Sequence, residues 1–111
     1  MAPHELPDRI DHVILHSPLD LFVALHAPGA QERRAAFSLL SQARSAGLAV
    51  QMELAGRSLK GQLGYANALG ARYVAIVGKD ETVLKDMQGG GQEQVPADTV
   101  VHAVLRGLRD L

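Results

Sequence analysis

Two helix–glycine–strand units in succession constrain this chain more than any other feature. In the first, Gln31–Ala46 has helical spacing. Ala36, Leu39, Leu40 and Ala43 form one apolar stripe, while Glu32, Arg33, Gln42 and Arg44 stay polar. Gly47 supplies the left-handed residue that ends such helices, and Leu48–Leu54 reads as a strand. The second unit repeats the pattern: a helix over Ser58–Leu69 burying Leu59, Leu63, Ala66 and Leu69, a stop at Gly70, and a strand at Tyr73–Val77. A continuous apolar run, Leu21–Leu25, precedes both and has the character of a strand covered on two faces. Successive units of this kind predict right-handed crossovers on a parallel sheet.

The pattern changes after Glu81. Thr82–Met87, Gly89-Gly90-Gly91 and Gln92–Val95 predict an antiparallel hairpin with a glycine turn. Pro96 opens a last helix, with Val101, Val104, Leu105 and Leu108 on one face and Asp98 in its first turn. The expected fold is α/β: a mixed, mostly parallel sheet of about five strands with three helices. Residues 1–18, with Pro3, Pro7 and a short apolar segment at Ile10–Leu15 closed by Pro18, read as a tail or linker stub. The domain proper is expected over 19–111.

Composition removes several function classes. With no cysteine there are no disulfides, no thiolate catalysis and no cysteine-containing zinc site. Aromatics amount to 4% of the chain, too few for binding that stacks many bases on aromatic platforms. A net charge of −1 gives no global positive field, so any contact with nucleic acid must come from a local cluster. The N-terminus lacks a secretory signal, no apolar run spans a membrane, and a cytoplasmic location is expected.

In open α/β sheets ligands gather at the carboxyl ends of the parallel strands. Here these ends are the loops His26–Gln31, Glu53–Ser58 and Gly78–Glu81. Arg57 and Lys60 flank the start of a helix, where the dipole disfavours cations by roughly 0.3–1 kcal/mol each. Two cations beside free helix N–H groups form an anion or phosphate seat, unless Arg57 simply pairs with Glu53 or Asp80. Gly61 and Gly64 lie off the apolar stripe of the same helix and are expected to face solvent. His12 and His16 have no third ligand and make no metal site. The adjacent acids Asp80-Glu81 are expected to form a solvated turn. Gly89-Gly90-Gly91 is no phosphate loop, because neither Lys-Ser/Thr nor a helix follows it. No catalytic constellation assembles, and neither cofactor nor metal is expected.

One stretch carries a family resemblance. Arg57-Ser58-Leu59-Lys60, Gln62-Leu63, Tyr65-Ala66, Leu69–Tyr73 and Gly78–Glu81 resemble the C-terminal, anticodon-binding domain of class II aminoacyl-tRNA synthetases, most closely the histidyl branch. Val83–Met87 and Val95-Pro96 extend the match, so that it covers about residues 19–111. The resemblance implies recognition of a tRNA anticodon stem-loop, with contacts at Glu53, Arg57, Lys60 and Gln62, by a domain without chemistry of its own. It further implies the histidine isoacceptor as ligand, a class II catalytic domain as partner in cis or trans, and a possible homodimer. Three departures stand out: Gly61 and Gly64 where the family has polar or basic residues, a shorter turn after Glu81, and no catalytic domain in the sequence. The alternative is a protein-interaction or dimerisation module that kept the fold and lost tRNA binding; a third reading is small-molecule binding at the strand ends.

Overall fold

The computed structural model describes residues 19–26 and 29–109. The expected tail at 1–18, with its histidine pair, and Pro28 lie outside the described residues. The elements are β1 (Leu21–Leu25), α1 (Ala30–Ser45), β2 (Val50–Met52), α2 (Leu59–Ala68), β3 (Tyr73–Val77), β4 (Thr82–Asp86), β5 (Gln92–Val95) and α3 (Val100–Arg109). A short 3-10 turn, Ala97–Thr99, leads into α3. This is the expected five-stranded mixed sheet with three helices.

The sheet order is β2-β1-β3-β4-β5. β1 pairs in parallel with β2 and β3, and the pairings β3–β4 and β4–β5 are antiparallel. The chain must pass over β1 to travel from β2 to β3, which sets α1 and α2 on opposite faces. Strand alternation divides β1 accordingly. Leu21, Val23 and Leu25 point into a core shared with Ala36, Leu39, Ala43, Val100 and Val104 from α1 and α3. Phe22 and Ala24 join Val74, Ala66 and Ala71 beneath α2. All five β1 residues are buried, as the continuous apolar run predicted. Each large side chain enclosed in this way contributes roughly 1.5–3 kcal/mol.

The two glycine stops close their helices in the same way. Gly47, at φ 87°, donates to the Arg44 carbonyl, and Leu48 donates to Ala43. Gly70, at φ 74°, donates to Asn67, and Ala71 donates to Ala66. Glycine adopts this left-handed backbone without the strain of a Cβ.

β2 is shorter than the predicted Leu48–Leu54. The Leu48 N–H closes α1, and the Ala49 N–H goes to the Asp20 carboxylate at 2.8 Å. At the other end, Glu53 still donates to Val23 before the chain turns away. α2 likewise begins at Leu59 rather than Ser58, because Ser58 is its N-cap: the hydroxyl accepts from Gly61 N–H at 3.2 Å. The apolar stripe of α2 is also displaced. Leu59, Leu63 and Leu69 are only half-buried, whereas Gln62 and Ala66 are enclosed. Glu32, expected on the polar face of α1, is buried at that helix's first turn.

α3 rests on β3 through a close contact between Gly107 and Tyr73. A Cβ at Gly107 would overlap the Tyr73 hydroxyl and stand 2.8 Å from the ring carbon that bears it. Gly64, by contrast, is exposed and has nothing within 4 Å of a built Cβ. Alanine normally stabilises a helix over glycine by about 1 kcal/mol. Gly64→Ala should therefore raise the urea midpoint. Gly107→Ala should lower stability by about 1–3 kcal/mol through overpacking, and Tyr73→Phe in the same chain should recover part of the loss.

Candidate functional site

Two clefts open at the carboxyl ends of the strands, and their charges differ in sign. The larger, about 620 Å³, lies between the start of α1, the Gly78–Thr82 turn and Gln94–Ala97; Glu32, Asp80 and Glu81 outnumber Lys79 in its wall. The smaller, about 310 Å³, is lined by Leu25, His26, Arg33, Glu53, Leu54, Gly56, Arg57 and Gln62, among others. It joins the β1 end, the β2–α2 loop and the first turn of α1. Its two arginines face a single carboxylate, so an anion finds complementary charge here and repulsion in the larger cleft.

Glu53 organises the β2–α2 loop. It is buried at the end of β2, and one carboxylate oxygen accepts the backbone N–H groups of Ala55 (2.9 Å) and Arg57 (3.0 Å). Its other oxygen takes the Arg57 guanidinium at 2.9 Å. Gly56, at φ 77°, lets the chain turn tightly enough for all three donors to reach one side chain. Burial works to raise the carboxyl pKa, but the Arg57 and Ala55 N–H groups and the guanidinium together outweigh it. The net shift is downward from 4.5.

Arg57 is held on both sides. While Nη1 bonds to Glu53, the guanidinium lies 4.0 Å from the centroid of Tyr65, a cation–π contact. Tyr65 in turn meets Phe22 edge-on, with centroids 5.9 Å apart. The side chain of Arg57 remains 36% exposed, and of its five N–H donors only Nη1 is engaged among the described residues. The pairing with Glu53 weighed from sequence is therefore present, and it leaves most of the guanidinium free to act.

Gln62 is 2% exposed, and both of its polar atoms are hydrogen-bonded. Its carbonyl oxygen accepts from Leu25 N–H at 2.8 Å, and its amide nitrogen donates to the carbonyls of Leu25 and Arg57, both at 2.9 Å. Both polar atoms of Gln62, expected to meet RNA, are engaged within the domain. It ties the end of β1 to the loop that carries Arg57. Glu53, 4% exposed, is also enclosed. Lys60 is exposed and, unlike Arg57, has no ion pair among the described residues. Arg33 and Leu54, the latter 79% exposed at the cleft's rim, were missed. The sequence signal for Arg33 was its position in the first turn of a helix that starts at a strand end. Gly61 and Gly64 face solvent, as predicted.

Among the described residues no cluster of three or more His, Cys, Asp or Glu could hold a metal ion, and no helix is long and apolar enough to cross a membrane.

The model of the family described as "Anticodon binding domain" matches residues 22–106, nearly the whole described chain. The chain belongs to the anticodon-binding domain family. Among its curated relatives are the histidine–tRNA ligase of Desulforudis audaxviator, 41% identical over 78% of this chain, and that of Pyrococcus abyssi, 37% identical over 77%. The chain spans 22% and 20% of those two proteins, about a fifth of their length. Histidyl-tRNA synthetase from Nostoc superposes with a TM-score of 0.74 at 25% identity, covering 93% of this chain and 27% of that one. The S. aureus enzyme, in its apo form, gives 0.70 at 29% identity over 80% and 24%. A prolyl-tRNA synthetase from Cryptosporidium parvum, 10% identical with a TM-score of 0.75 over 85% and 21%, shares the fold. The anticodon-binding fold and the histidyl-synthetase likeness expected from Arg57–Glu81 are thus borne out.

Two outcomes follow for this anticodon-binding domain. Gln62→Leu should destabilise it by more than a typical surface substitution. The change leaves the Leu25 N–H and two carbonyls unpaired in the interior, at about 1–3 kcal/mol for each group not rescued by water. The second outcome concerns Glu53, whose carboxyl pKa is lower folded than unfolded. Its contribution is complete above its unfolded value and disappears as pH falls through the folded one. Urea midpoints of wild type and Glu53→Gln should therefore differ at neutral pH and converge in acid; a constant gap would contradict the assignment.

Proposed function

We infer that the domain recognises the anticodon stem-loop of the histidine tRNA and serves a histidine–tRNA ligase whose catalytic domain acts in cis or in trans. The observation that carries this reading is the Arg57 guanidinium. It is braced by Glu53 and Tyr65 yet keeps free donors at the mouth of a cleft lined by a second arginine. A planar guanidinium held on an aromatic face suits both an unstacked loop base and a phosphate. Lys60, exposed at the first turn of α2, supplies a point charge to the backbone beside it. Glu53 and Gln62 act as positioning residues that fix the loop carrying Arg57. No catalytic role falls to this domain, since amino-acid activation requires the class II core that lies outside the family match. A cytoplasmic location and a homodimeric parent accord with this assignment.

The test is binding of a histidine tRNA transcript, measured by fluorescence anisotropy over a range of salt. Affinity should fall as salt rises, because cation–phosphate contacts release counterions. Arg57→Ala should weaken binding by about tenfold or more, the worth of a charge-assisted hydrogen bond, and a changed anticodon should weaken it further. No binding at low salt, or equal affinity for every anticodon, would refute the assignment.

A further inference from the structure

The outer face of α1 carries charge that the Arg57 cleft does not account for. Its solvent side presents Arg33, Arg34 and Arg44, and the helix's one carboxylate, Glu32, is buried. No exposed acid on α1 therefore offsets three arginines, in a chain whose net charge is −1. Phe37 sits among them, 52% exposed, where packing alone would favour a polar residue. At about 100° per residue, Arg33, Phe37 and Arg44 fall within about 40° of one another, along about 16 Å of helix axis. The stripe begins where the cleft ends, because Arg33 belongs to both.

We propose that this face of α1 is a second RNA-contacting surface: Arg33 and Arg44 engage phosphates of the strand leaving the Arg57 cleft, and Phe37 packs against a sugar or base between them. The proposal rests on the tRNA reading given above and extends it from the loop to the adjoining backbone. Charge complementarity selects the occupant. A polyanion meets Arg57 and Arg33 in one cleft, with exposed Lys60 on α2 and exposed Arg44 further along α1, whereas the larger cleft, with Asp80 and Glu81, repels it. The arginines contact backbone rather than base edges, so this surface contributes affinity without sequence preference.

The experiment compares wild type, Arg57→Ala, Phe37→Ala and the double variant Arg33→Gln/Arg44→Gln on two transcripts, the histidine tRNA and one with its anticodon replaced. All these positions are exposed, and unchanged thermal midpoints confirm that the fold survives. The double variant should weaken both RNAs to the same extent and reduce the slope of log affinity against log salt by about 1.4–1.8, the release expected for two phosphates. Phe37→Ala should weaken binding with the slope intact. If the double variant keeps wild-type affinity and slope while Arg57→Ala loses affinity, this proposal is overturned and the anticodon reading stands. If wild type binds neither RNA, both fall. Binding of a polyglutamate peptide that the double variant loses, with RNA binding unaffected, would overturn it in favour of an acidic protein partner.

Discussion

A single buried amide holds the functional edge of this domain together. Gln62 bonds both backbone groups of Leu25 at the end of the central strand and the carbonyl of Arg57 in the neighbouring loop. The β1–β2 pairing ends at Val23 and Met52, with a last bond from Glu53 N–H to Val23, so beyond that point the two chain segments share no ladder. A polar side chain from the helix above supplies the missing bonds. An apolar residue would leave three backbone groups unpaired where water has little access, and a shorter amide would not bridge the gap. The loop, the placement of Glu53 within it and the angle at which Arg57 emerges all depend on that bridge.

This is also where sequence reasoning met its limit. The strand Leu21–Leu25, the stops at Gly47 and Gly70 and the hairpin across Gly89–Gly91 were legible, because each rests on a local rule. An apolar run marks burial, a glycine marks a positive dihedral angle, and a glycine cluster between polar strands marks a turn. Gln62 obeys no local rule. The family resemblance argued for RNA, yet Gln62 lies on the same helical face as Ala66, four residues on, and these two are the buried residues of α2. The buried Glu32 escaped notice for the same reason. A polar residue at the edge of an apolar stripe declares its environment only when the partner groups are in place, and those partners come from distant parts of the chain.

Net charge was silent in a related way. Two of the acids near the strand ends, Glu32 and Glu53, are buried, so they count in the sum but add little to the outward field. Glu53 is further spent on Arg57 and on two backbone N–H groups. Removing them from the surface leaves the α1–α2 edge positive and concentrates the acids at Asp80, Glu81 and the far side. A chain near neutrality can thus be strongly polarised. The burial of particular carboxylates decides this, and composition does not record it.

The bracing of Arg57 also bears on how an electrostatic site can be selective. A free surface arginine meets any phosphate and loses about 0.5–1.5 kcal/mol of rotamer freedom when immobilised. Here Glu53 and Tyr65 have already fixed the guanidinium, so much of that loss belongs to folding rather than to binding. The same carboxylate partly neutralises the arginine and weakens its reach beyond contact distance. Arg57 is therefore poorly suited to attracting a distant polyanion and well suited to judging the geometry of one already present. Long-range attraction falls instead to unpaired cations such as Lys60. Separating the two tasks lets a domain with no overall positive charge hold a polyanion in one orientation, because the group that discriminates need not be the group that attracts.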